Sequence, residues 1–351
     1  MILSPFELID KLKEQENLEF SECLELLKYH KDDKTREYLF KKAREVREKI
    51  YGRKIYIRGL IEFSNYCKND CFYCGIRRSN KNVERYRLTK EEILSCCEIG
   101  YNLGFRTFVM QSGEDVTYTD EIITDIVKTI RDKYPDCAIT LSVGERSYKA
   151  YKSFYDAGAN RFLLRHETYN KEHYGLLHPE SLTLDNRIKC LNNLKEIGYQ
   201  VGTGFMVGSP YQTMENIVND ILFIKKFKPQ MIGIGPFISH KDTPFCNFEN
   251  GTVELTTFII GILRLMNKNA LIPSTTALGT IDDSGREKGI LAGANVVMPN
   301  LSPENVRKKY NLYDNKLSTG LETAEYKKSL EEKFKKIGYD IVIDRGDYIK
   351  N

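Results

Sequence analysis

The 351-residue chain has no apolar run approaching the ~20 residues needed to cross a bilayer, so no membrane partner is expected. Its start, MILSPFELIDKLKEQENLEF, lacks the basic-then-apolar layout of a secretory signal and reads as amphipathic. Charge of one sign is scarce too. The net charge is +4, and no basic block is interleaved with aromatics, so nucleic acid is not an expected partner. There is no close internal repeat and no low-complexity tract. Nine cysteines are an odd number for a disulfide framework, and reduced thiols in the cytoplasm are expected. That state suits oxygen-sensitive, anaerobic chemistry.

What is present fits a globular protein with a sizeable core: 41% hydrophobic and 29% charged residues. The first fifty residues read as helices. SPFELIDKLKEQ offers Ser4 as N-cap and Pro5 at the first helical position, and TREYLFKKAREVREKIYG stops at Gly52. From residue 55 short apolar runs alternate with helical stretches. The runs are IYIRGLIEFS (55–64), TFVMQSG (107–113), AITLSVG (138–144), RFLLRHE (161–167), VGTGFMVG (201–208), MIGIGPF (231–237), LIPSTTA (271–277) and ANVVMPN (294–300). Eight strand–helix units are the number that closes a (β/α)8 barrel. The expected α/β organisation is a helical layer over 1–54, a barrel over 55–301 and an extension over 302–351. The extension reads as helices with a short strand at DIVIDR.

Three of the nine cysteines crowd into SNYCKNDCFYCGIRRSNK: Cys67, Cys71 and Cys74. A structural zinc or a complete cubane takes four protein ligands. Three leave one position open, and an open position on a metal is where chemistry happens. Either a fourth ligand lies far away in sequence or the vacancy is the function. The spacing is not the two-pairs pattern of zinc modules. Barrel chemistry sits at the C-terminal ends of the strands, where this chain places Gln111, Ser112, Glu114, Ser142, Glu145, Arg165, Glu167, Thr275, Thr276 and Met298.

Cys-x3-Cys-x-Tyr-Cys directly after a first barrel strand resembles the signature of the radical S-adenosylmethionine (SAM) superfamily. IRGLIEFSNYCKNDCFYCGIRRSNKNVERYRLT, VMQSGED, LLRHET, MVGSPYQT, GIGPFISHKDTP, STTALGTI and GANVVMPN resemble, in order, the FeFe-hydrogenase maturases of the HydE type. Biotin synthases and methylornithine synthases are the next families in pattern. The resemblance implies a radical SAM (β/α)8 barrel with N-terminal helices and a C-terminal helical extension. It further implies a 4Fe–4S cluster on Cys67, Cys71 and Cys74, whose fourth iron takes the amino and carboxylate groups of SAM. Reductive cleavage would then give a 5′-deoxyadenosyl radical. The small-molecule substrate the resemblance implies is an organometallic iron–cysteine species carrying carbon monoxide and cyanide, on the way to the diiron subcluster of the H-cluster. A ferredoxin or flavodoxin as electron donor and the other maturases are the implied partners.

Carried over residue by residue, Tyr73 resembles the aromatic near the adenine, and Met206 in GTGFMVGSP lies on the adenine-side strand. Ser112 and Glu114 stand where relatives recognise the methionyl amine. Ser142, Glu167 and Arg187 resemble further SAM contacts, the guanidinium facing the carboxylate. Gln111, Arg165, Thr275, Thr276 and Met298 resemble residues that face the internal cavity and hold an anionic group. Two departures matter. No cysteine follows Cys246, where many members of the family place three more for a second cluster, so one cluster is expected. Strand ends two, three and five carry Gln111, Ser142 and Gly204, not the cysteines with which biotin synthase holds a sacrificial 2Fe–2S cluster. The alternatives are a mutase or C–H functionalising enzyme of the methylornithine synthase kind, and a non-catalytic iron–sulfur scaffold.

The remaining residues of interest have plainer readings. Cys23, Cys96, Cys97, Cys137, Cys190 and Cys246 are expected as small buried apolar residues. His166 is expected to point away from Arg165 and Glu167, toward the helix layer. His173, His178 and His240 are expected as loop surface, His30 in the helical layer, and Glu167 with Arg187 could form a structural ion pair.

Overall fold

Ser4 accepts from the Glu7 amide while the Glu7 carboxylate takes the Ser4 amide, a reciprocal cap that starts α1 (Pro5–Gln15). Helices α2 (Phe20–Leu27) and α3 (Asp33–Tyr51) follow, and Gly52 ends the layer as expected. The structure, a computed structural model, describes residues 3–318 and 323–350. The barrel elements are β1 (Lys54–Ile57), β2 (Gly59–Ser64), α4 (Lys90–Asn102), β3 (Thr107–Ser112), α5 (Asp120–Lys133), β4 (Ala138–Ser142), α6 (Tyr148–Asp156), β5 (Arg161–Leu163), α7 (Lys171–Leu177), α8 (Leu184–Ile197), β6 (Gln200–Thr203), β7 (Met206–Val207), α9 (Met214–Phe227), β8 (Met231–Ile232), β9 (Gly235–Pro236), α10 (Val253–Met266), α11 (Thr276–Ile281), α12 (Gly285–Leu291) and β10 (Val296–Val297). Beyond them lie α13 (Glu304–Arg307), α14 (Lys327–Lys336) and β11 (Asp340–Val342). Helix α10, VELTTFIIGILRLM, is buried almost all round, which a barrel's outer ring alone cannot achieve. Helices α1 and α3 lie on its outer side and cover it. No helix among the described residues is long and apolar enough to cross a membrane.

Strands β2, β3, β4, β5, β6 and β8 pair in that order, all parallel. Two shorter segments complete the ring. Leu271 bridges Met231, Pro273 bridges Val296, and Asn300 bridges Leu60. The Leu301 amide donates to the Leu60 carbonyl at 2.7 Å, closing the barrel. The expected eight parallel segments are therefore present. The run 55–64, read as one strand, divides at Arg58: β2 pairs with β3, whereas β1 pairs with β10 and with β11.

Alternation then sorts the side chains. Ile61, Phe63, Phe108, Met110, Ile139, Leu141, Phe162, Val201, Ile232 and Val297 pack outward in the core under the helices. Their neighbours Glu62, Gln111, Ser142 and Arg165 face the interior at the C-terminal mouth, and Arg58 and Arg161 face it near the base. The C-terminal segment covers that base. Arg161 donates from Nη2 to the carbonyls of Arg345 (2.9 Å) and Gly346 (3.1 Å) and to Asp347 Oδ1 (2.7 Å), and from Nη1 to Thr107 Oγ1 (3.2 Å).

Candidate active site

Residues 65–89, between β2 and α4, form a loop with little regular structure, and its backbone needs partners from elsewhere. One side chain supplies most of them. Arg85 donates from Nη1 to the Asn65 (2.5 Å) and Ile76 (2.8 Å) carbonyls, and from Nη2 to those of Arg77 (2.7 Å) and Asn80 (3.1 Å). Asn80 holds the Gly75 carbonyl at 2.7 Å, and Asp70 pairs with Arg77 Nε at 2.7 Å. Gly75 is required by space: a Cβ there would sit 2.2 Å from the Asn311 carbonyl oxygen and 2.4 Å from His240 Cδ2. Sequence reasoning passed over Arg85; its only signal was a cation inside a cysteine-rich loop.

The loop carries Cys67, Cys71 and Cys74, all half-buried. Burial pushes the three thiols up, Cys74 to about 12 and Cys71 well above the ordinary range, and the charges of Cys67 and Cys74 on Cys71, and of Cys67 on Cys74, add to it. The thiols thus influence one another. Yet among the described residues no three His, Cys, Asp or Glu side chains gather tightly enough to hold a single metal ion. Three thiols suit a polynuclear iron–sulfur cluster, whose irons each take one thiolate, better than a structural zinc, which takes four protein ligands. Cys67 Sγ also accepts from the Glu114 amide at 3.4 Å.

Several of the sequence-predicted residues gather around this loop. Tyr73 and Met206 meet in one apolar cluster with Phe72, Leu177, Phe237 and Phe245. The Tyr73 hydroxyl lies 3.2 Å from His178 Nε2. Burial lowers His178 to about 3, so the ring is neutral. Its Nδ1 donates to the Tyr174 carbonyl at 3.0 Å, which leaves Nε2 to accept from Tyr73. Glu114 is buried, with Oε1 accepting the Glu145 amide at 2.9 Å and Oε2 lying 3.2 Å from Lys68. Ser112 donates to the Gly113 carbonyl at 2.7 Å, and Ser142, half-buried, ends β4.

Glu167 is a non-glycine residue at φ 65°, held by a parallel bridge to Phe205. Arg165 Nη2 lies 2.9 Å from Glu167 Oε2 but is not aligned for a hydrogen bond, and both atoms are buried without a partner, as is Arg165 Nε. Arg187, in the first turn of α8, does not pair with Glu167. Its Nε donates to Glu145 Oε1 at 2.6 Å and its Nη1 to the Arg165 carbonyl at 2.5 Å. Glu145 had been placed at a strand end with no role; only the fold shows that it fixes Arg187.

Deeper in the barrel, Gln111 Nε2 reaches Tyr310 Oη at 3.4 Å, and Met298 packs beside the cluster that contains Met231. Thr275 Oγ1 is buried without a partner, whereas the Thr276 hydroxyl accepts from Arg286 Nη2 at 3.0 Å. Thr275 stands against β9, where a Cβ on Gly235 would lie 2.9 Å from its Oγ1. The histidine expectations need correcting. His173, which lies on α7, and His178 and His240 are buried, their ring nitrogens reaching the Pro210 carbonyl, the Tyr73 hydroxyl and the Asn311 amide. His166 does face the helix layer. Five of the six remaining cysteines are buried, but Cys246 is exposed, since Phe245 beside it takes the inward position.

Residues 61–224 match the radical SAM superfamily. Over 281 residues, 80% of this chain and 80% of the relative, the sequence is 47% identical to the FeFe hydrogenase maturase subunit HydE of Thermotoga maritima. It is 30% identical over 283 residues to 3-methylornithine synthase of Methanosarcina barkeri, covering 80% of this chain and 79% of that one. The crystal structure of methylornithine synthase (PylB) superposes with a TM-score of 0.83 at 26% identity, covering 95% of this chain and 97% of the other.

Proposed function

The chain belongs to the radical SAM superfamily, and from that premise we propose that it acts in FeFe-hydrogenase maturation on an iron–cysteine precursor bearing carbon monoxide and cyanide. The observation that carries the reading is the set of three thiols on an Arg85-organised loop, set beside an Arg165–Glu167 pair with unsatisfied polar atoms. One 4Fe–4S cluster on Cys67, Cys71 and Cys74, when bound, supplies the electron that cleaves SAM to the 5′-deoxyadenosyl radical. Everything else is the work of the protein. Tyr73 and Met206 form an apolar slot for the adenine. Glu114, Ser112 and Ser142 face the methionyl ammonium, and Arg187, fixed by Glu145, faces the carboxylate. Glu167 takes the ribose or ammonium side of SAM.

Beneath them Gln111, Arg165, Thr275, Thr276 and Met298 line the substrate cavity, where the guanidinium and hydroxyls hold an anionic group. The closed barrel keeps water and stray hydrogen donors from the reacting atoms. A ferredoxin or flavodoxin delivers the electron, and the other maturases supply and receive the organometallic species. The test is reconstitution with iron and sulfide under anaerobic conditions, reduction with dithionite, and addition of SAM. Formation of 5′-deoxyadenosine is expected, together with support of hydrogenase activation in a mixture of purified maturases. An iron-loaded protein that cleaves no SAM would sink the reading.

A further inference from the structure

The turn that presents Arg165 and Glu167 to the site is held from behind by groups outside the substrate machinery. His166 is fully buried between them in sequence but faces the opposite way, against Phe205 and Phe223. Thr203 Oγ1, on β6, accepts the His166 backbone amide at 3.2 Å and lies 2.9 Å from His166 Nδ1. Asp220 Oδ1, an acceptor from the Tyr169 amide, faces His166 Nε2, so Nδ1 accepts from the Thr203 hydroxyl and the ring carries its hydrogen on Nε2. That hydrogen points at Asp220 Oδ1 on α9, 3.2 Å away. The same oxygen accepts the backbone amide of Tyr169, on the far side of Glu167. Asp220 is itself fully buried.

The chain Thr203–His166–Asp220–Tyr169 therefore grips the segment on both sides of Glu167, the residue with the left-handed backbone. A non-glycine residue persists in that conformation only where its surroundings over-determine it. We propose that Thr203, His166 and Asp220 are positioning residues that lock the 165–169 turn, and that through it they set the geometry of Glu167 toward SAM and of Arg165 toward the substrate cavity. The proposal rests on the SAM-binding reading of Glu167 given above. It extends that site to three side chains which touch neither cofactor nor substrate.

The experiment compares SAM-cleavage kinetics and SAM affinity by calorimetry on iron-loaded variants. Thr203→Val is isosteric and removes only the hydroxyl. It is expected to raise the KM for SAM and the dissociation constant about tenfold, with kcat changed less than about threefold. Thr203→Ser is expected to reverse most of that rise. Asp220→Leu is expected to act in the same direction as Thr203→Val, and Asp220→Asn, which keeps the Oδ1 acceptor, to recover much of the loss. A merely structural pair would lower the thermal midpoint or the iron content without moving the KM of the loaded fraction. Unchanged SAM affinity in Thr203→Val overturns the proposal, as does a rise that Thr203→Ser fails to reverse. Should Asp220→Leu not fold, the two Thr203 variants decide alone. Wild-type enzyme that binds no SAM counts against the functional reading; wild-type binding with indifferent variants counts only against the positioning role.

Discussion

One strand carries two inward-facing arginines with opposite circumstances. At the base of the barrel, Arg161 is fully buried and spends its Nη1 and Nη2 donors on Thr107, two tail carbonyls and Asp347. At the mouth, two residues beyond the end of β5, Arg165 leaves Nε and Nη2 without a hydrogen bond. Four donated bonds tie Arg161 to the scaffold, whereas Arg165, half-buried and ion-paired only with Glu167, donates no hydrogen bond and keeps its donors for a ligand. The division runs between these two arginines and not between the ends of the barrel, since Arg58 at the base also leaves Nε and Nη2 without a hydrogen bond.

That division can be broken by exchanging the two roles. Arg161→Met should cost about 3 kcal/mol, the low end of the range for breaking a buried ion pair because Asp347 is half-exposed. Its turnover per folded molecule should stay intact, as read by denaturant unfolding against SAM-cleavage rate. Arg165→Met removes a half-buried guanidinium that makes no hydrogen bond but faces the buried Glu167 carboxylate, so it should cost less than Arg161→Met, about 1 kcal/mol, and should lower maturation turnover by about a hundredfold. Equal stability losses in the two variants would erase the contrast.

Acid should sharpen it. Burial lowers His178 from 6.5 to about 3, and burial also lowers His173 and His166. Below pH 6.5 the unfolded chain binds protons that the folded mouth refuses, so stability falls by about 1.4 kcal/mol per pH unit for each such histidine. At the base, Asp347 is lowered from 3.8: burial alone would raise it, but Arg161 outweighs that. Its contribution is present above pH 3.8 and disappears only below that value. Between pH 6.5 and 4.5 hydrogen exchange should therefore open residues 165–178 before residues 340–349.

The mildest probe is Gly233→Ala. A Cβ there meets nothing nearer than Leu163 Cδ1 at 3.7 Å, so stability should change by less than about 0.5 kcal/mol. Denaturant unfolding of the variant against wild type checks that small effect.

Much of this was legible in the chain. The cysteine spacing, the alternating runs and the Ser4 and Gly52 boundaries are local signals, set by neighbours a few residues away. The division at Arg58 was not, because β1 and β2 differ only in their partners: β1 pairs with a strand near residue 340. Nor was the pairing of Arg187 with Glu145 in place of Glu167, which depends on where α8 meets the end of β4. The three mouth histidines read as surface because loops usually are; here His173 lies on α7 and reaches the Pro210 carbonyl, His178 meets the Tyr73 hydroxyl, and His240 meets the Asn311 amide, contacts between segments distant in sequence.

Arg85 separates two events in the life of the protein. In zinc fingers the metal is the folding nucleus and the apoprotein is unstructured. Here a guanidinium already holds four carbonyls of the cysteine loop, so the polypeptide can mature first and receive its inorganic cargo afterwards. A barrel whose cluster has been destroyed by oxygen would then be a vessel to refill, and repair would need iron and sulfide but no new synthesis.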